Sequence, residues 1–272
     1  MAEGKLSIAR RLLQSSPPGE LRDVAKDVSK LLPAGLLSDA TLNHSYLVSA
    51  MTPDRTHRIV ISKETEVDLT HYLDSKNKKI FGFDHINHQL KPNEVQDCPE
   101  KFSLLDEPYR LALQNALDDY SLAQYTNQGV VAVVSTGENE IAIVISTERI
   151  NLRNYWSGRW TSQWKLQLEG QAATLSGSID LHVHYYEDGN VQLQSRKDVE
   201  QTITYHDPSS LASAVAQAII DEEHVIHSNL EDMYINMSEE TFKEMRRVMP
   251  VTQTKMDWSI HAHRTAKDLG QK

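Results

Sequence analysis

The sequence predicts an α+β fold in which helices flank a central antiparallel sheet. Apolar residues recur every three or four positions near both ends of the chain, as they do on one side of a helix. Between these regions the apolar period falls to two, which is typical of strands. Two apolar runs, 129–136 and 140–146, are separated by only a few residues around Gly137, and so short a connection forces antiparallel pairing.

The N-terminal region, residues 1–52, is predicted to be helical. Ile8, Leu12 and Leu13 form one apolar stripe, and the segment SSPPGE interrupts it. A second stripe begins at Leu21 and continues to Leu32. Two or three short helices fit this pattern.

The central region, residues 53–236, is predicted to hold the sheet together with two longer helices. Strands are expected at HRIVIS (57–62) and KIFGFDH (79–85), and a helix is expected from about residue 99 to about residue 128. Asp207 and Pro208 fit the N-cap and first position of a second helix, 208–236. That helix would be roughly 40 Å long, enough to cross a whole sheet.

The predicted strand around residue 160 alternates between two faces. Trp160, Trp164, Leu166 and Leu168 point to one side, which we expect to be the core, and polar residues point to the other. Three tryptophans lie on this strand, and we expect them to be core or subunit interface rather than a ligand cage. They are Trp156, Trp160 and Trp164.

The next hairpin has a register that can be argued from parity, because opposite residues of paired strands share a face. A two-residue loop at 188–189 would place polar residues opposite apolar ones. A three-residue loop at 187–189, with Gly189 left-handed, instead pairs Tyr185 with Val191 and sets Asp180 opposite Arg196. We therefore predict the second register.

Length and composition indicate one main domain with appendages. The chain has 272 residues, and no Pro/Gly/Ser-rich linker divides it. The pattern assigns residues 1–52 to the N-terminal helices, 53–236 to the sheet with its helices, and 237–272 to a C-terminal arm. The apolar content of 39% is at the lean side for a globular protein, so another chain is expected to cover part of the apolar surface.

Charge is distributed unevenly along the chain. Residues 243–272 contain seven Lys/Arg and three Asp/Glu, a balance of +4. Because the whole chain carries −10, residues 1–242 carry −14. A basic arm thus follows an acidic body. The acidic body also argues against general nucleic-acid binding, which needs a basic footprint.

The basic arm has helical spacing at its start. Arg246 and Arg247 follow Lys243 by three and four residues, about one helical turn. A helix would therefore place all three on one surface, where like charges repel. A helix from about Ser238 would be stopped by Pro250. The arm is therefore expected to bind an acidic partner. A narrower apolar stripe follows it, at Trp258, Ala262, Ala266 and Leu269.

Targeting and redox signals favour a cytosolic protein. The N-terminus lacks the apolar segment of a secretory signal, and the single cysteine, Cys98, cannot form an internal disulfide. No run approaches the roughly 20 apolar residues that span a bilayer. A transmembrane protein is therefore not expected.

The sequence offers one candidate metal pair and no catalytic constellation. His182 and His184 lie on the same strand face, where two imidazoles can bind a metal if further ligands converge. The predicted register instead places them opposite Gln194 and Gln192, which favours a polar sheet face. Phosphate-loop, nucleophile-elbow, zinc-protease and dinucleotide motifs are missing from the sequence. We therefore expect no enzyme activity, no cofactor and no metal.

Five segments together carry a resemblance to a known family. They are SPPGE (16–20), FDH (83–85), NYWSGRWTSQWK (154–165), VHYYEDGNVQL (183–193) and FKEMRRVMPVTQTKMDW (242–258). In this order and spacing, across nearly the whole chain, the sequence resembles the alpha subunit of F-actin capping protein. The resemblance implies an N-terminal helical stalk, an antiparallel sheet covered by the long helix, and a C-terminal amphipathic tentacle.

The resemblance also implies a function and partners. In this family the alpha subunit forms a heterodimer with a similar beta subunit, and the two sheets join. The heterodimer binds the barbed end of the actin filament independently of calcium and blocks both addition and loss of subunits. Phosphatidylinositol bisphosphate inhibits it, and regulatory proteins bind it. The expected location is cytoplasmic, in cortical actin structures of the cytoskeleton.

The site residues implied by the resemblance lie at the base of the tentacle. By position in the last motif, the actin-contacting residues fall on Lys243, Arg247 and Gln253, with Arg246, Lys255 and Trp258 beside them. Gln253 departs from the family, which usually carries arginine there, so one charged contact is missing. Further along, polar residues dilute the apolar stripe: His261, His263 and Thr265.

Two other functions compete with capping. The same fold could serve as a scaffold subunit of a larger actin-related or motor-adaptor complex without capping filaments. An enzyme with a metal at His182 and His184 is a more distant alternative. Without the resemblance, a Lys/Arg cluster on a helix is more often a solvated surface than a binding site.

Overall fold

The computed structural model describes residues 2–33, 47–85, 87–98, 107–125, 128–151, 153–186 and 190–236. Within these ranges the chain forms four helices and eleven strands. The chain divides into two compact units, Met1–Gln217 and Ala218–Lys272. The mixture of helices and antiparallel sheet confirms the predicted α+β class.

The helices largely match the sequence pattern. They are α1 (Ala2–Gln14), α2 (Leu21–Leu31), α3 (Glu107–Gln124) and α4 (Pro208–Asn236). Helix α3 ends four residues before the predicted end. The N–H of Tyr125 still donates to the Ser121 carbonyl, but the N–H of Gln128 bonds the Tyr125 carbonyl in a separate turn. The predicted beginning of this helix, residues 99–106, lies outside the described residues.

The start of α4 is fixed by the cap that the sequence predicts. The backbone N–H groups of Ser209 and Ser210 each donate to Asp207 Oδ1 at 2.9 Å. Two of the N–H groups left unpaired at a helix start are thereby satisfied. Leu211 and Val215, one turn apart, are fully buried.

Three antiparallel sheets make up the strand part of the first unit. The largest has five strands in the order β11-β10-β9-β8-β7, and β3-β4-β5-β6 and β1-β2 form the others. The smaller sheets contain β1 (Val48–Met51), β2 (Arg58–Ile61), β3 (Glu66–Asp68), β4 (His71–Asp74), β5 (Lys79–Asp84) and β6 (Gln89–Asp97). The five-stranded sheet contains β7 (Val130–Gly137), β8 (Glu140–Asn151), β9 (Trp156–Glu169), β10 (Ala172–Tyr185) and β11 (Val191–Thr204).

The register of β10 and β11 is the one predicted from parity. Tyr185 pairs with Val191, and Asp180 pairs with Arg196. The loop residues 187–189 themselves lie outside the described residues. The register places polar residues of β9, β10 and β11 on one face of the sheet, opposite the face that carries Trp160 and Trp164.

Strands β7 and β8 are buried on both faces, as their continuous apolar runs predict. Ile141, Ile143 and Ile145 have no exposed surface on one face. On the other face Ala132 and Val144 pack with Val60 of β2 in one apolar cluster. The smaller sheets therefore cover the β7 end of the large sheet.

Trp160 and Trp164 belong to the core, as predicted. Their exposed fractions are 5% and 2%. Trp164 lies directly opposite Gly177 of β10, and a Cβ at Gly177 would come within 2.6 Å of the indole and 2.4 Å of the Gln163 carbonyl oxygen. Glycine is therefore required where the indole crosses β10.

Candidate functional surfaces

Strand β11 is one edge of the five-stranded sheet and the longer of its two edges. It pairs with β10 over fourteen residues, Val191–Thr204. Among the described residues its other side has no neighbouring strand. Most of its side chains are exposed. An edge of this length presents a row of backbone donors and acceptors that can pair with another chain.

The opposite edge, β7, is closed by two side chains of α3. Gln114 accepts a hydrogen bond from the Val133 N–H at 3.0 Å and donates to the Val131 carbonyl at 3.2 Å. Arg110 donates to the Val133 carbonyl at 3.4 Å. The Gln114 amide thus takes the place of a backbone amide from a neighbouring strand. Among the described residues, the sheet therefore has one edge that is blocked at Val131 and Val133, the β7 edge, and one open edge, β11.

We expect Gln114→Leu to lower the free energy of unfolding by about 1–3 kcal/mol. The leucine fills similar space but leaves the Val133 N–H and the Val131 carbonyl without these partners in a buried setting. Asn115→Leu, at an exposed position of the same helix, is the matched control. Denaturant unfolding of both variants measures the difference, and equal stabilities would show that Gln114 does not protect the edge.

The polar face of the sheet is crossed by ion pairs between neighbouring strands. Lys165 Nζ lies 2.7 Å from Glu140 Oε2, and Arg159 lies 3.3 Å from Glu148. The Lys165 hydrogen bond lowers the pKa of Glu140. Each pair joins neighbouring strands and adds a small stabilisation, about 0.2–1 kcal/mol, to their pairing.

Arg196 is an exposed cation on β11, the strand at the open edge. It lies 3.5 Å from Asp180 of β10 and 3.2 Å from Asp198 of its own strand. Its side chain remains 61% exposed. Burial raises the pKa of Asp180, although Arg196 opposes the shift.

His182 and His184 lie in the polar face that the sequence favoured over a metal site. They pair with Gln194 and Gln192 in the register. His182 Nε2 is 3.1 Å from Gln192 Oε1, and burial lowers the pKa of His182. Within the described ranges, no group of three or more potential metal ligands converges.

Three of the segments that carry the family resemblance meet at one end of the large sheet. Glu20 Oε1 of SPPGE lies 3.3 Å from Nδ1 of the buried His184. A Cβ at Gly19 would come within 2.7 Å of Ile150, so the α1–α2 turn sits directly on the end of β8. The Tyr186 N–H donates to the Tyr155 carbonyl at 2.9 Å. The N-terminal helices are thereby attached to the sheet.

The predicted actin-contacting residues all lie in a part of the chain that the structure does not describe. Residues 237–272 are outside the described ranges, and with them Lys243, Arg246, Arg247, Gln253, Lys255 and Trp258. Their assignment remains a prediction from the motif.

The structure adds functional candidates that the sequence analysis missed. Arg110 and Gln114 were passed over because they flank the apolar stripe of α3 without joining it. Their four-residue spacing places them on one side of the helix, and both are buried. Two buried polar residues one turn apart beside an apolar stripe are the signal that could have identified the closed edge.

No described helix is long and apolar enough to cross a membrane.

A sheet with one blocked edge and one long open edge is typical of a subunit that assembles with another chain. The family model of the F-actin capping protein alpha subunit matches residues 9–268. The chain therefore belongs to the F-actin capping protein alpha subunit family.

Curated relatives agree with this membership, and a solved structure has a similar fold. The alpha subunit of Dictyostelium discoideum is 33% identical, over 93% of this chain and 92% of its own. That of Caenorhabditis elegans is 32% identical, over 94% and 93%. The fold is similar to a homodimeric actin capping protein alpha subunit from Plasmodium berghei, with a TM-score of 0.74 at 22% identity, covering 93% of this chain and 99% of that one.

Proposed function

We propose that this chain is the alpha subunit of a heterodimeric capping protein that binds the barbed end of the actin filament independently of calcium. It blocks addition and loss of actin subunits and catalyses no reaction. The observation that carries this proposal is the family match over residues 9–268, which extends through the basic motif at 242–258.

The heterodimer is supported by the open edge of the sheet. A strand of the beta subunit adds to β11, because β7 is occupied by the Gln114 and Arg110 side chains. Backbone hydrogen bonds along such an edge give affinity, and the alternating side chains give specificity. One continuous sheet then extends through both subunits.

The domain organisation follows the same proposal. The predicted boundaries assign residues 1–52 to the stalk, 53–236 to the sheet with its helices including 208–236, and 237–272 to the basic helix and tentacle. The first boundary needs a correction, because Val48–Met51 form β1 and pair with β2, so the strand region begins before residue 53. The attachment of the α1–α2 turn at His184 supports the stalk. The burial of Leu211 and Val215 supports a covering role for the start of α4. The protein acts in the cytoplasm, at cortical actin structures.

Actin contact is assigned to the base of the tentacle, at Lys243, Arg246, Arg247, Gln253, Lys255 and Trp258. The charge distribution supports the assignment, because +4 on residues 243–272 contrasts with −14 on the remainder. The cations orient an otherwise acidic body toward an acidic filament surface during encounter.

Elongation of pyrene-labelled actin from filament seeds tests the proposal. The co-expressed alpha and beta subunits are expected to stop barbed-end growth at substoichiometric amounts, with the same effect in calcium and in chelator. A stable heterodimer that leaves growth unchanged would instead support a scaffold subunit of an actin-related or motor-adaptor complex.

Vesicles that carry phosphatidylinositol bisphosphate are expected to weaken capping. Lys255 and the neighbouring cations offer phosphate contacts worth about 1 kcal/mol each near an anionic surface, and the lipid competes with actin for them. The measurement is capping in the elongation assay with increasing lipid, against phosphatidylcholine vesicles as control. Equal capping with both vesicles would show that the lipid does not compete with actin for these cations.

A further inference from the structure

A four-residue pattern, Asp-x-Thr-His, occurs at two turns of the smaller sheets. It lies at 54–57, between β1 and β2, and at 68–71, between β3 and β4. In both turns the threonine N–H donates to aspartate Oδ1, at 3.2 Å in the first turn and 2.9 Å in the second. The two histidines have different surroundings, and these decide where each ring holds its protons.

His57 joins the β1–β2 turn to the β4–β5 turn. Its Nε2 lies 2.7 Å from Oδ2 of Asp74, a side chain that is 5% exposed. The backbone N–H groups of Lys76 and Asn77 donate to Oδ1 of Asp74 at 3.2 Å, and the Asn77 side chain donates to Oδ2 at 2.8 Å. Both oxygens of Asp74 therefore accept, and the short contact requires a proton on Nε2.

The other ring nitrogen of His57 meets a hydroxyl whose hydrogen is already used. Nδ1 lies 2.9 Å from Oγ1 of Thr56, and this hydroxyl donates to Asp54 at 2.9 Å. Hydrogen bonds from the Thr52 and Thr56 side chains lower the pKa of Asp54 to about 2, so at neutral pH it is a carboxylate that accepts. Because a hydroxyl has one hydrogen, Nδ1 donates to it. With a proton on each nitrogen, the ring is a charged imidazolium.

Loss of one proton from His57 changes the network at one place. Without the proton on Nε2, a ring lone pair would face a carboxylate oxygen at 2.7 Å, and two acceptors do not bond. Without the proton on Nδ1, the Thr56 hydroxyl can rotate and donate to that nitrogen. Asp54 then loses this donor, while Nε2 keeps its bond to Asp74.

The other charged groups of these turns have contacts of their own. Lys76 lies 2.6 Å from Asp118 of α3, and Arg58 donates to the Ser49 hydroxyl of β1 at 3.2 Å. The Asn77 side-chain nitrogen lies 2.9 Å from Nε2 of His57 but is neutral. Asp74 is the carboxylate that contacts the ring, and Asp54 acts on it through Thr56.

His71, in the second turn, has a simpler arrangement. Its Nδ1 lies 2.8 Å from Oδ1 of Asp68, so Nδ1 carries the proton of the neutral ring. Oγ1 of Thr70 is farther from that nitrogen, at 3.3 Å. Nε2 of His71 is 3.7 Å from Glu94, beyond hydrogen-bond distance. The same sequence pattern therefore gives opposite neutral forms, with the proton on Nε2 in His57 and on Nδ1 in His71.

We propose that His57 is a proton-dependent joint between the β1–β2 turn and the β4–β5 turn. The charged ring bonds both turns and leaves the Thr56 hydroxyl on Asp54. The neutral ring keeps its bond to Asp74 and takes the hydroxyl from Asp54. The joint does not depend on the proposed function, because its groups all lie within the described part of the first unit.

Nitrogen NMR of the histidine rings tests the inference in the full-length chain, labelled at histidine and co-expressed with the beta subunit. An ordinary histidine changes its charge between about pH 5 and pH 8, so spectra are recorded at both ends of this range. At the acidic end we expect protons on both ring nitrogens of His57. At the basic end we expect the proton of His57 on Nε2 and that of His71, the internal control, on Nδ1.

A proton on Nδ1 of His57 at the basic end would overturn the inference. In that form Asn77 would donate to Nε2, and the Thr56 hydroxyl would stay on Asp54. A ring of His57 that remains charged at both ends of the range would overturn it as well, because the joint would then have only one state.

The carboxyl carbon signal of Asp54 separates a moving hydroxyl from a fixed one. Because Asp54 does not itself titrate near neutral pH, we expect its signal to shift with the midpoint of His57. Thr56 is exposed, so its variants should fold. Thr56→Ser keeps a hydroxyl and should keep the shift, whereas Thr56→Val should lose most of it. Thr70→Val is the matched control in the second turn. Equal Asp54 shifts in Thr56→Val and the native chain would refute the joint.

Discussion

Reversing two charges at the base of the tentacle, Lys243→Glu with Arg247→Glu, is expected to weaken capping by about 2–5 kcal/mol. Each change removes a proposed contact to an acidic group of actin and introduces repulsion in a desolvated interface. The dissociation constant for barbed ends, measured by elongation from seeds, should rise accordingly. Association should also slow and become less dependent on salt, because these cations steer the encounter.

A deletion after Trp258 is the comparison for this double variant. The distal stripe is diluted by His261, His263 and Thr265, so we expect its removal to cost less than the charge reversal. Should the double reversal cap like the native heterodimer while the deletion abolishes capping, the binding energy lies in the distal stripe. The assignment of actin contact to the cations at the base of the tentacle would then be wrong.

Restoring arginine at position 253 is a gain-of-function test of the same assignment. Gln253→Arg supplies the charged contact that the family usually makes there. We expect a modest increase in affinity for barbed ends, smaller than the loss caused by the double reversal. Gln271→Arg, which makes the same substitution outside the assigned contact residues, is the control. An unchanged affinity for Gln253→Arg would show that position 253 does not contact actin.

Long elements with strong periodicity could be predicted from the sequence. The start of the helix at Pro208 was predicted correctly because Asp207 caps it, and the β10–β11 register followed from parity alone. In both cases one local rule sufficed: an unsatisfied helix start needs an acceptor, and opposite residues share a face.

The smaller sheets could not be predicted in full. Strands β1, β3 and β4 have only three or four residues, too few to show a period. Their region also turns at residues that give no glycine signal: Arg55 and Lys78 adopt left-handed backbone with φ of 58° and 53°. Left-handed backbone is uncommon for a residue with a side chain, so the sequence gives no sign of the turns at these two positions.

Of the candidate surfaces, the basic cluster could be predicted from the sequence and the two sheet edges could not. The basic cluster at 243–247 is visible as a run of charges, so its function was inferred from sequence and from the family motif. The closed and open edges of the sheet were not visible, because an edge is defined by strand order and not by composition. Gln114 accepts a hydrogen bond from Val133 of β7, which lies nineteen residues further along the chain. No local sequence pattern predicts a contact between residues so far apart.

Trp164→Ala is expected to lower the free energy of unfolding by about 3–5 kcal/mol, because the indole is 2% exposed and fills the space above Gly177. Trp156→Ala is the control in the same strand. Trp156 is only partly buried, and the Arg149 guanidinium carbon lies 5.7 Å from the centroid of its ring. Such a cation–π contact is worth about 0.5–1 kcal/mol at exposed sites. Denaturant unfolding of the heterodimer measures both. If the two variants lose equal stability, Trp164 does not anchor the sheet, and the open edge at β11 must be held in place by other contacts.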